Sequence, residues 1–439
     1  MIGNGFWRIG GPDKEAAYFT AESMRNNMNP DVWTMEVGLG GDTFITNQFF
    51  HPYAGALYFA SARSNNFNFY TSILSSTLGS LQWEALGERD SPASSDLVNT
   101  ALGGIVLGEI LHRLYMELNR SGRKIGATIL SPTGRITDAI RGYGPETGPG
   151  KIYSSSLALG FSWTYAKFLD YKKEITDPWN QPSAFINLDL VYGNPYTAHS
   201  KTPFEQFDLF TSLLVSYPLI YNFTIIADGY LASWSLADNE KNQASNGITL
   251  NFDAFITDKG TVMDLNNGRE NLSFNANSLN YAIKWNHVFN NCGLSLKTHV
   301  GFIPWAVANY VGALKPDSNG VFDKEDFNMY LFGWNIKLFL EFYQIRENAG
   351  GKNGQSLSMN LCFYDTWNIQ KTTPGVDNNT LFLSSNINYS FPMSDILSFY
   401  LGNTFLLLHC NLKEDAGPGF TDITRWLNNS QLGVKFSFR

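Results

Sequence analysis

Leu157-Ala158-Leu159-Gly160-Phe161-Ser162-Trp163-Thr164-Tyr165 is the stretch on which the fold turns. Its odd positions are all large and apolar, while its even positions are Ala, Gly, Ser and Thr. Successive side chains of a strand point to opposite faces, so this division describes a strand with two differently solvated sides. The same division recurs in Leu357-Ser358-Met359-Asn360-Leu361 and in Leu294-Ser295-Leu296-Lys297-Thr298-His299-Val300. Strands of a soluble sandwich also alternate but usually run about 5–6 residues. Many runs here reach the roughly 9–11 residues needed to cross a bilayer at a tilt.

Outward from that stretch, about twelve such runs begin near residues 153, 183, 204, 220, 246, 272, 293, 326, 355, 380, 395 and 424. An even number suits a closed antiparallel barrel with both ends of the chain on the periplasmic side. On that orientation the segments near 170, 262, 317, 373 and 417 are outer loops, long and rich in Gly, Pro, Asp and Asn. Asn290-Asn291 and Pro392-Met393 are short inner turns. The tight Tyr217-Pro218 turn falls among the long loops, which puts the strand assignment beside it in question.

The last strand carries a second signal. Gln431-Leu432-Gly433-Val434-Lys435-Phe436-Ser437-Phe438 places a glycine two residues after a polar residue and ends on alternate aromatics. This resembles the C-terminal signal read by the outer-membrane assembly machinery, with Gly433, Phe436 and Phe438 as its key positions. Arg439 departs from the usual aromatic ending.

Composition agrees with a barrel. Charged residues make up 16% of the 439, against about 25% in soluble proteins. Aromatics make up 15%, with 33 Phe, 21 Tyr and 11 Trp, and a barrel sets such rings against lipid and at both interfaces. A mean hydropathy of -0.17, with no run near ~18 consecutive apolar residues, speaks against a bundle of membrane helices. The net charge of -8 is spread along the chain, and no basic block suggests nucleic acid. Cys292, Cys362 and Cys410 lack metal-ligand spacing, and Cys362 reads as a small apolar strand residue. Residues 1–14 contain no apolar export segment, so a processed N-terminus is expected.

Residues 51–118 follow a different period. Ser72, Ser76, Ser80, Glu84 and Glu88 recur at every fourth position, as do Thr100, Gly104, Gly108 and His112. Residues four apart share a helix face, and small residues let helix backbones approach closely. Helices are expected over about 52–63, 67–87 and 95–118, with Ser94 or Ser95 as the N-cap of the third and Asp96 in its first turn. Packing of the two long helices along their stripes would gather Glu84, Glu88, Asp96, Asn99, Glu109, His112, His51 and Arg89 in one region. Three readings of this set stand side by side. Arg63, Arg89 and Arg113 could pair with the acids and pin a helical insert in a polar lumen. Glu84, Glu88 and His51 could be metal ligands or proton carriers. The acids could instead line a gated path. His199, His287, His299 and His409 are scattered and read as strand or turn residues.

Asn47-Gln48-Phe49-Phe50-His51-Pro52-Tyr53-Ala54-Gly55-Ala56-Leu57-Tyr58 is followed by Ala62-Arg63, Ser80 with Trp83-Glu84, Glu88, Ser94-Ser95-Asp96-Leu97, Gly103-Gly104 and Gly108-Glu109. Together these resemble a bacterial family known as domain of unknown function 3943, over about residues 40–115. The resemblance implies an exported envelope protein whose C-terminal half is a barrel. A fainter similarity to VanZ-like membrane proteins would make Asn47, His51, Glu84, Arg89, Asp96, Asn99, Gly103 and Gly108 one constellation. Asn47 stands there where those proteins carry an acidic residue.

The sequence thus leads to a transmembrane antiparallel β-barrel of about twelve strands in the bacterial outer membrane. An N-terminal segment spans 1–50, a helical insert or plug 51–145 and the barrel 150–439. The expected role is envelope transport, lipid handling or assembly, with lipid, lipopolysaccharide and the assembly machinery as partners. No cofactor is predicted, and a metal ion at the polar cluster is left open. An outer-membrane enzyme acting on lipid or glycan through Glu84, Glu88 and His51 is the alternative, although no nucleophile motif accompanies it. A structural subunit contacting envelope proteins through Asp317–Asp326 and Lys413–Thr421 is a third.

Overall fold

The computed structural model describes residues 20–35, 44–87, 91–142, 151–169, 179–196, 200, 202–216, 220–258, 271–313, 324–345, 354–369, 379–411 and 423–438. The chain forms two compact units, Met1–Gly150 and Lys151–Arg439.

The second unit is a closed barrel in which every strand pairs antiparallel with its sequence neighbours and the first strand with the last. The strands are β1 (Ile152–Leu169), β2 (Trp179–Tyr192), β3 (Phe207–Val215), β4 (Ile220–Asp238), β5 (Asn242–Asp258) and β6 (Asn271–Phe289). They continue as β7 (Cys292–Ala313), β8 (Lys324–Gln344), β9 (Ser356–Asn368), β10 (Asn379–Pro392), β11 (Leu397–Cys410) and β12 (Ile423–Phe438). All twelve begin within four residues of the positions read from alternation. Tyr217-Pro218 lies outside the described residues, and the flanking β3 and β4 begin at or near the expected positions. β3 is simply short, nine residues. The β6–β7 connection is the tight Asn290-Asn291 turn, with Asn290 at φ 52°, a left-handed value that asparagine tolerates better than most residues.

β8 shows why the sheet closes. Phe332, Trp334, Ile336 and Phe342 face outward and are exposed, while Gly333, Asn335, Lys337 and Tyr343 face inward and are buried. Phe161, Trp163, Tyr281, Phe302, Leu357 and Leu432 extend the exposed apolar band around the other strands. A soluble protein rarely exposes so extensive an apolar surface, and in lipid a closed barrel satisfies every backbone group without an edge. The outward band is therefore a bilayer-contacting surface, and the fold is a transmembrane β-barrel.

The seam between β1 and β12 is built on glycine. Gly160 stands opposite Gly433, and a Cβ on Gly433 would lie 2.1 Å from the Leu159 carbonyl oxygen. The interior is not uniformly polar, as a water-filled barrel would be. Phe255 and Phe274 from β5 and β6 meet Phe382 of β10 at ring separations of 4.8 and 4.5 Å. They join Tyr364, Leu406, Leu408 and Leu427 in a buried luminal cluster. The cysteines form no disulfide, and Cys362 and Cys410 lie in this cluster.

The first unit is helical. After α1 (Ala21–Asn27), a π-helical turn, Thr46–Phe50, runs into α2 (His51–Ser64). Then follow α3 (Phe69–Leu86), α4 (Ser94–Arg120), α5 (Lys124–Leu130) and α6 (Pro132–Arg141). The last two helices were not anticipated. Asn68, not an anticipated residue, caps α3 by accepting from the Thr71 N–H. Neither Ser94 nor Ser95 caps α4. The N-cap is Ala93, and its backbone N–H donates to Glu84 Oε2 at 3.0 Å. By length and composition α4 could cross a membrane, but 72% of its apolar window is buried.

The small-residue stripes pack differently from the expected pairing of the two long helices. The stripe on α4 meets α2: a Cβ on Gly104 would lie 2.6 Å from the Gly55 carbonyl carbon, and one on Gly108 2.7 Å from Phe59 Cβ. The α3 stripe closes over both, with Ser76 Oγ donating to the Gly55 and Thr100 carbonyls.

Candidate functional site

Each unit contains a buried polar centre. In the helical unit the constellation read from sequence divides in two. His51 and Arg63 sit at opposite ends of α2, and at 1.5 Å rise per residue that separates them by about 18 Å. Arg63 Nε is 2.7 Å from Glu109 Oε2, and Arg113 Nε is 2.8 Å from Glu109 Oε1. Each carboxylate oxygen thus accepts from a guanidinium, an arrangement that offsets much of the cost of burying the charge. His112 is buried beside them. Burial first, and then Arg63 and Arg113, push its pKa down to about 3.

At the other end of α2, His51, Glu84 and Asp96 come together, with one ligand-type atom from each within 4.8 Å of the others. His51 Nε2 is 3.6 Å from Asp96 Oδ2, and its Nδ1 is 3.3 Å from Thr100 Oγ1. Glu84 and Asp96 are buried. Asn47 and Asn99 are also buried within this unit. Glu88 and Arg89 lie outside the described residues, as do His199 and the greater part of both acidic loops.

The barrel's centre was not singled out from sequence. Asp208 on β3 accepts from Lys284 Nζ at 2.5 Å and Lys297 Nζ at 2.8 Å. Lys337 on β8 reaches Asp228 Oδ1 on β4 at 3.0 Å and Asp253 Oδ2 on β5 at 2.6 Å. Asn251 donates to Asp228, and the Tyr364 hydroxyl to Asp253 at 3.0 Å. His299, read as an ordinary strand residue, also faces this centre, its Nδ1 4.0 Å from Asp228 Oδ1. Three lysines thus meet three aspartates in this network. It crosses the lumen, because β3 reaches β6 and β7, and β4 reaches β8. The signal was available: a lone charge at an inward position of an alternating strand, as in Trp334-Asn335-Ile336-Lys337-Leu338.

The luminal cavity lined by Ser212, Asn222, Thr224, Asn386, Thr404 and Asn429 has a volume of about 20 Å³. That holds about one water molecule, so there the lumen is crossed by side chains rather than open.

Fold and site together define a transmembrane β-barrel with a charge-bridged interior and an N-terminal helical unit. Residues 37–136 match the family model for the domain of unknown function DUF3943, the family that the helical motifs resemble. No curated protein matches the sequence. Among solved structures, the Pseudomonas putida toluene transporter TodX aligns at 8% identity and a TM-score of 0.28, covering 66% of this chain and 89% of its own. An outer membrane channel from Pseudomonas putida F1 aligns at 11% identity and a TM-score of 0.30, covering 67% of this chain and 97% of its own. The NanC porin aligns at 6% identity and a TM-score of 0.25, covering 62% and 99%. These are likenesses of general shape and say nothing of what this barrel handles.

Proposed function

We propose that this chain is an outer-membrane transport barrel held closed by its luminal ion network. The observation that carries the reading is Lys337 on β8 bridging Asp228 on β4 and Asp253 on β5, four and three strands away around the barrel. A barrel serving only as a membrane anchor has no need of buried charge, which is costly to desolvate even when paired. A gate does, because pairs made across a lumen can exchange for pairs with an entering solute. Contact with lipopolysaccharide and recognition of the C-terminal strand by the assembly machinery belong to the same proposal, as does control of passage by the helical unit.

The test is permeation by the full chain in planar bilayers. Wild type should conduct rarely and in brief openings, and a D228N/K337M/D253N variant should conduct steadily. Unchanged conductance in a variant that still forms a barrel would remove the gate. Deleting residues 51–118 should change little in the wild-type lumen and raise conductance further in the triple variant.

A further inference from the structure

The spacing of His51, Glu84 and Asp96 is that of groups sharing an ion. The 3.6 Å between His51 Nε2 and Asp96 Oδ2 exceeds the roughly 2.7–3.2 Å of an N–H···O hydrogen bond. Ligands bound about 2.0–2.1 Å from a tetrahedral zinc ion stand about 3.3–3.4 Å from one another. The His–Asp distance lies a few tenths of an ångström outside that edge. The three groups lie within 4.8 Å of one another, so a bound ion would draw the side chains together by about an ångström.

The surroundings have the form that metal ligands require. His51 Nδ1 faces Thr100 Oγ1 at 3.3 Å; with the proton on Nδ1 and the hydroxyl accepting it, Nε2 is the lone-pair nitrogen facing Asp96. Glu84 Oε2 is anchored by the Ala93 N–H. Asp96 Oδ1, the oxygen turned from His51, lies 3.4 Å from Ser95 Oγ. Each group is thus oriented by a partner on its far side. Ser80, one turn before Glu84 on the same buried face of α3, has a hydroxyl oxygen with no hydrogen-bond partner. Two carboxylates and one neutral imidazole balance the charge of a divalent cation, and imidazole favours a transition metal over magnesium or calcium.

We propose that His51, Glu84 and Asp96 form a binding site for a divalent transition-metal ion, with zinc as its representative. The site belongs to the helical unit and does not depend on the transport reading. Full-length protein in detergent, dialysed against limiting zinc, should retain one ion per chain. H51Q, E84Q and D96N should each lose it, and T100V, which keeps all three ligands, should bind about 10–100-fold more weakly. Zinc X-ray absorption of the wild-type chain should show one imidazole among oxygen donors and no sulfur. Retention of no more zinc by wild type than by an E84Q/D96N variant overturns the proposal, as does sulfur in the zinc shell. If the substituted chains lose their helical circular dichroism, the wild-type absorption spectrum decides alone.

Discussion

Lys337 on β8 reaches across the barrel to Asp228 on β4, Nζ to Oδ1 3.0 Å, with the lysine fully buried. K337M removes the cation shared by Asp228 and Asp253 and leaves two carboxylates facing one another. Breaking a buried pair on one side costs roughly 3–5 kcal/mol. Guanidinium unfolding in detergent should show a loss of that size, and D228N/K337M/D253N should recover much of it. A K337M barrel as stable as wild type would mean that the network is solvated.

Gly160 and Gly433 predict where barrel closure is sensitive. A Cβ on either would meet the opposing strand's backbone, at 2.2 Å for Gly160 and 2.1 Å for Gly433. G160A and G433A should therefore impair closure equally, seen as less of the compact, fast-migrating form on unheated gels. A defect in G433A alone would assign Gly433 to the assembly signal instead of the seam.

Gly55 makes the tightest approach among the helices. Its added Cβ would lie 1.9 Å from the Thr100 carbonyl oxygen, so G55A must push α2 from α4. Overpacking of this kind costs about 1–3 kcal/mol. Thermal melting of the helical circular dichroism should move down while the strand signal is unchanged. A simultaneous loss of both signals would contradict a local effect.

His112 makes the helical unit acid-sensitive. Its folded pKa is lowered to about 3 from 6.5, so between these values the unfolded chain binds the extra proton and stability falls as pH drops. Each pH unit in that window costs about 1.4 kcal/mol. From pH 7 to 4.5 wild type should lose about 2–3 kcal/mol more than H112Q. Equal losses would show that His112 is protonated in the folded chain.

The barrel was legible because period-two alternation is written locally, in stretches such as Leu157–Tyr165, and closure follows from leaving no edge in lipid. Only the interior was misjudged. Alternation implies wet inward positions, but Phe255, Phe274 and Phe382 fill part of the lumen from strands far apart in sequence. Which inward residues meet across a barrel depends on stagger, and alternation carries no stagger. The helical polar residues were visible as a set, but its division was not. The set spans more than three turns of α2, and only the parallel packing of α2 on α4 shows that His51 neighbours Asp96 while Arg63 neighbours Glu109.

The barrel is a ribbon with lipid on one side and an enclosed interior on the other. Spin labels placed singly along Phe332–Phe342 of the reconstituted protein measure this directly, by their collisions with oxygen and with a water-soluble nickel chelate. Labels at 332, 334, 336 and 342 should be open to oxygen and closed to nickel, with those at 333, 335 and 337 reached by neither. Uniform access of nickel to the even positions would contradict it.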